Sequence, residues 1–197
     1  MHRYIYADKV GAGPENPNKQ WGLFTNELTP DEAQARYELN ARQDGEWFGI
    51  VRFDEELGRP TGLIQMCPQA NGLKMQKLDA HGRVEASYIW GGYYEPHYKD
   101  RTPYNGNATQ IMLSQITWYA YPEEERFLNL TDSIGAVMMQ FEADGYVKEE
   151  IMTPQGFGKP MHVETRESRG VDVSHNWFDI PQFGDWEPLF APTPTTE

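Results

Sequence analysis

The sequence predicts an all-β, mainly antiparallel domain whose strands close around an aromatic-lined interior, with one short helix near the N-terminus. Three observations carry this expectation. Short apolar runs alternate with polar residues from about Gly45 to Phe178. Turn signals separate the runs, among them Asn71-Gly72, His81-Gly82 and Asp144-Gly145, where glycine accepts the positive φ of a tight turn. Aromatic residues make up 13% of the 197 residues, more than one core needs, so some should line a pocket or an interface.

From Met1 to Leu28 the chain reads as an irregular arm. Gly11, Gly13, Pro14 and Pro17 interrupt it, Trp21 and Phe24 are its apolar anchors, and one short strand is expected at Tyr4–Ala7. Thr29-Pro30-Asp31-Glu32 then opens a helix, with Thr29 as N-cap, proline at the first helical position and Glu32 closing a capping box. The helix should run from about Pro30 to Arg42, with Ala33, Tyr37 and Ala41 on one face.

Ten strands are expected after it: Glu46–Phe53, Thr61–Cys67, Leu73–Leu78, Arg83–Tyr93, Thr109–Tyr121, Arg126–Thr131, Ala136–Phe141, Tyr146–Met152, His162–Arg169 and Val171–Trp177. Strands joined by such short turns must be antiparallel neighbours. Leu78–Glu85 and Phe141–Lys148 share the order apolar, acid, Ala, x, Gly, x, Val, which marks two similar hairpins of one meander.

A meander of about 8–10 strands can close on itself and so remove its exposed edges. That architecture is the calycin or lipocalin-like up-and-down barrel; a β-sandwich or jelly roll fits the same periodicity. Residues 1–180 form the single expected domain, with the irregular arm at 1–28, and 181–197 form a Pro-rich C-terminal tail. In that tail Phe183, Trp186, Leu189 and Phe190 have the bulk to pack back onto the body.

The charge of −13, from 30 acidic against 17 basic residues, repels phosphate backbones, so nucleic acid is not an expected partner. No run approaches the ~20 apolar residues of a membrane helix, and the first residues lack the pattern of a signal peptide. A single cysteine, Cys67, cannot form an internal disulfide, which makes the cytoplasm the default compartment. The five histidines show no metal-ligand spacing, and no dinucleotide or phosphate loop is present, so neither metal nor cofactor is expected.

The densest aromatic cluster runs from Tyr88 to Tyr98. Alternation places Tyr88 and Trp90 on one strand face at the mouth of a cup, with Tyr93 beyond Gly91-Gly92. The strand Thr109–Tyr121 repeats the theme with Gln115, Thr117 and Tyr119 on one face and Trp118 on the other. A few hydrogen-bonding groups within apolar walls are what orients a small ligand. These residues are the expected substrate-binding set.

Tyr94, Glu95, His97 and Arg101, in the loop that follows, are the expected catalytic set. A phenol can donate to an oxyanion while a carboxyl, imidazole or guanidinium moves or balances the proton. The first functional expectation is therefore a cofactor-independent enzyme of lyase, isomerase or cyclase type acting on an aromatic or hydrophobic molecule. A non-catalytic carrier of such a molecule is the second. The third is an assembly factor that grips a protein partner with its tail, and a homodimer is compatible with each.

Overall fold

The computed structural model describes residues 1–13, 24–39, 48–67, 72–91, 110–156 and 159–191. Its strands are β1 (His2–Val10), β2 (Phe24–Leu28), β3 (Phe48–Asp54), β4 (Arg59–Cys67), β5 (Gly72–Leu78), β6 (Val84–Gly91), β7 (Gln110–Ala120), β8 (Gly135–Phe141), β9 (Val147–Thr153), β10 (His162–Ser168) and β11 (Trp177–Asp179). All pair antiparallel in one sheet of order β10-β9-β8-β7-β6-β5-β4-β3-β1-β2. β11 joins the start of β7, at Gln110–Met112, and β8 takes the end of β7 from Gln115 onward. Two helices complete the fold, α1 (Pro30–Leu39) and α2 (Glu187–Phe190).

The register defines the two faces. One continuous rung of directly opposed residues crosses nine strands: Tyr6, Ile50, Ile64, Met75, Tyr88, Ile116, Met139, Glu149 and Arg166. Opposed residues point to the same side of a sheet, so this rung belongs to the first face. It is apolar or aromatic as far as Met139 and charged on β9 and β10. The main core therefore lies over β1 and β3–β8, and β10 extends beyond it with all seven residues exposed.

The chain covers the first face with its own parts. Ala33 of α1 is fully buried, and Tyr37 packs edge-on against Trp186, with ring centroids 5.8 Å apart. Trp186 and Leu189 are fully buried in the same core, and the Trp186 indole donates to the Tyr6 hydroxyl at 3.1 Å. The Tyr37 hydroxyl donates to the Pro181 carbonyl, which ties the helix to the C-terminal segment. The second face carries a smaller apolar cluster of Ala7, Val10, Val51, Leu63, Leu78 and Val84.

Local sequence signals account for the frame. The Thr29 box is present: Glu32 Oε2 accepts from the Thr29 amide at 2.8 Å, and the Glu32 amide donates to Thr29 Oγ1 at 3.3 Å. The two similar hairpins close identically. Asp79 N–H donates to Arg83 O and Gly82 N–H to Asp79 O; Glu142 N–H donates to Tyr146 O and Gly145 N–H to Glu142 O. Gly82 and Gly145 take positive φ, 76° and 83°. Gly72 opens β5, whereas Asn71 before it and the expected helical residues beyond Leu39 lie outside the described residues.

Four expectations are corrected. Among the described residues no pairing joins β10 to β2, so the sheet is antiparallel but not closed. α1 and the 181–190 segment cover its apolar face, while β10 and β2 remain its two edges. The arm is not irregular throughout, since β1 is a nine-residue strand between β2 and β3. Residues 126–131 form a loop entering a 3₁₀ turn at Leu130–Asp132, and most of 171–177 is likewise irregular before β11. No helix among the described residues is long and apolar enough to cross a membrane.

Candidate functional site

Register shifts decide where the expected site residues go. β5 and β6 pair Lys77 with Ala86 and then Leu78 with Val84, so Glu85 is extra and Val84 turns to the second face. β6 and β7 pair Ile89 with Gln115 and then Trp90 with Leu113, so Ser114 is extra and bonds back to the Ile89 carbonyl at 3.1 Å. Strict alternation along β7 therefore fails at Ser114. Leu113 sits opposite Trp90, while Ile116 and Trp118 stand opposite Tyr88 and Ala86 on the first face.

Tyr88 and Trp90 are consequently core residues. Trp90 is 1% exposed, stacks on Tyr88 at 5.9 Å and meets Phe178 edge-on at 5.9 Å. Trp118 packs half-buried on the same face. Gln115, Thr117 and Tyr119 lie on the second face, so the expected substrate-binding set is divided between the two sides of the sheet. Tyr93, Tyr94, Glu95, His97 and Arg101 lie outside the described residues.

The second face holds a row of neutral polar side chains. Gln76, Ser87 and Thr117 oppose one another in register on β5, β6 and β7, and all three are buried. Ser87 Oγ shares a hydrogen bond with the Tyr119 hydroxyl at 3.3 Å, and Gln115 Nε2 donates to Thr117 Oγ1 at 3.3 Å. On β4, Gln65 Nε2 donates to the Val10 carbonyl at 2.9 Å and holds the end of β1 over the sheet. Gly49 makes room for this crossing, because a Cβ there would lie 2.3 Å from Val10 Cγ1.

Above this row the loop between β7 and β8 forms a roof. Leu128 is its buried anchor. The Tyr121 hydroxyl donates to the Val84 carbonyl at 3.1 Å, and Arg83 stands over the Tyr121 ring while bonding the Glu124 carbonyl at 3.0 Å. Burial, helped by the neighbouring Tyr119, pushes the Tyr121 phenol up to about 12. It stays a neutral donor at physiological pH.

Between roof and sheet lies a cleft of about 400 Å³. Its apolar walls are Val10, Ala12, Val84, Phe127, Leu128 and Leu130; its polar groups are Gln65, Gln76, Asn129 and Thr131, with Gly11 completing the lining. None of these residues is charged. Sequence reasoning named the neighbouring Gln115, Thr117 and Tyr119 but missed Gln65 and Gln76. The same signal was available, a glutamine between apolar residues in Ile64-Gln65-Met66 and beside Met75.

A second cleft, of about 380 Å³, lies beside Phe190 and contains Arg52, Arg59, Lys77, Asp79 and Glu85. Each cation there has a partner. Arg52 grips Glu187 through two bonds of 3.0 Å, Lys77 meets Glu85 at 3.1 Å, and Arg59 donates to the Asp79 carbonyl at 2.8 Å. Tyr4 also donates to Glu187. Burial and that bond raise the Tyr4 phenol well above its ordinary value. This is the tyrosine, carboxylate and arginine combination expected of Tyr94, Glu95 and Arg101, but here it latches the C-terminal segment to β1 and β3.

Comparison with protein families, with curated proteins and with solved structures finds no match for this chain, so its site is read from its own geometry.

Proposed function

We propose that the protein binds a neutral, partly apolar small molecule in the cleft between the second face and the β7–β8 loop. The observation that carries this reading is the uncharged lining. In a chain with a net charge of −13, a cleft of about 400 Å³ is bounded only by apolar side chains, two amides of the sheet, Asn129 and Thr131. An ion would lose its hydration there without gaining an opposite charge, whereas a carbonyl or hydroxyl finds amides already positioned. No acid or base lines the cleft among the described residues, so this geometry supports holding a molecule rather than transforming it.

A fluorescent pair tests this. Neutral phenylnaphthylamine should brighten on binding and its anionic relative, anilinonaphthalene sulfonate, should not. Ala12→Trp, which fills the cleft from one wall, should abolish the signal. Equal binding of both dyes, or a signal that survives Ala12→Trp in a folded protein, would overturn the assignment.

A further inference from the structure

The two ends of the sheet are built differently. β2 is five residues long, and Asn26 interrupts it at φ 53° while bonding Asp8 at 2.8 Å, so its pairing with β1 skips a position. That is a protected edge. β10 has no such interruption and is guarded by charge alone, at Glu164, Arg166 and Glu167. His162–Ser168 contains no proline, lysine or glycine, and its seven residues pair with β9 in unbroken register. Among the described residues nothing pairs with its outer side.

We infer that β10 is a self-association edge, on which a second copy of the chain adds its own β10 antiparallel about a two-fold axis at Thr165. The charge pattern selects both occupant and register. With Thr165 facing Thr165 of the second copy, His162 faces Ser168, Val163 faces Glu167, and Glu164 faces Arg166, so all seven residues pair. Symmetry supplies the Glu164–Arg166 pair twice. Both side chains project from the first face and are well exposed, at 60% and 68%.

The nearest alternative registers that keep the faces aligned fail. Centring on Glu164 puts Glu164 against itself and pairs only five of the seven residues; centring on Arg166 does the same with Arg166. Arg166 already meets Glu149 of β9 at 3.2 Å. Across the joint it would stand between that carboxylate and Glu164 of the second copy. On the other face Thr165 meets its equivalent, and Val163, 46% exposed, gains cover from the aliphatic stem of Glu167.

Sedimentation over a range of protein concentrations, near physiological salt to screen the overall charge, should show wild-type dimers. Glu164→Arg and Arg166→Glu should each weaken association at least tenfold while remaining folded, since both positions are exposed and the Arg166–Glu149 pair that Arg166→Glu gives up lies at the surface. Mixing the two variants should restore association, because one chain then presents two guanidiniums at these positions and the other two carboxylates, each facing its opposite across the joint. Thr165→Cys should cross-link on mild oxidation, and Val163→Cys, carrying the same native Cys67, should not. A wild type that stays monomeric, variants that dimerise normally, or a mixture that fails to associate would each overturn the proposal, the second by pointing to another surface.

Discussion

Gly145 shows how much one residue can decide. Its φ is 83°, and a Cβ there would lie 2.6 Å from the Val171 carbonyl, whose own amide donates to the Gly145 carbonyl at 3.1 Å. Gly145→Ala should lower stability by about 1–3 kcal/mol. Gly170→Ala, at φ 72° with open space around it, should cost less, so denaturant melts of the two variants separate strain from collision. The glycine turn was legible in the sequence. The contact with Val171 was not, because it joins two loops that no local pattern links.

Glu187 is the other residue whose role depends on distant partners. Burial works against its charge, but the Tyr4 hydroxyl and the Arg52 guanidinium more than compensate and hold its carboxyl below the ordinary glutamate value. A depressed carboxyl stabilises the fold above the unfolded-state pKa, and that stability is lost as pH falls through the folded-state value. Between about pH 5 and pH 3 the melting temperature should therefore fall more steeply for the wild type than for Glu187→Gln. Parallel pH profiles would show that the latch contributes nothing.

At the scale of elements, α1 and the hairpins were readable because capping and turn chemistry are local. The Thr29–Glu32 reciprocal bonds and the two matching hairpin closures are what the sequence patterns imply. Strand existence was equally legible from Phe48 to Leu78. Facing was not. One extra residue at Glu85 and one at Ser114 turn the following side chains over, and nothing in the composition of either strand announces the shift. That is why Leu113 meets Trp90 in the core while Gln115 and Thr117 lie on the second face.

The C-terminal segment reads in the sequence as a Pro-rich tail whose aromatic residues have the bulk to pack back onto the body. Trp186 does so, fully buried and bonded to Tyr6. Trp186→Ala should cost about 3–5 kcal/mol in a denaturant melt, the range for emptying a large aromatic site. A loss below 1 kcal/mol would mean that the segment rests on the sheet without supporting it.

For the whole molecule, the antiparallel all-β class followed from periodicity, and closure did not. The sequence counts strands that could close; it does not show that α1 and residues 181–190 occupy the apolar face instead. The cleft was not legible by residue: none of the expected site residues on β6 and β7 lines it, because its lining comes from β1, β4, β5, Val84 at the start of β6 and the β7–β8 loop, which only the fold brings together. Its roof, the loop carrying Leu128, read as a strand because Phe127 and Leu128 supply the apolar residues that a strand and a packed loop both need.

Tyr6 and Trp186 are bonded across 180 positions of chain, and this separation bears on how the protein is made. During synthesis at ordinary translation rates, on the order of ten to forty seconds separate the emergence of the first strand from that of the segment that covers it. Throughout that interval the row through Ile50, Ile64 and Met75 lacks the C-terminal half of its cover. Folding of this core is completed only after Trp186 has emerged, because the contact that closes it over Tyr6 cannot form earlier.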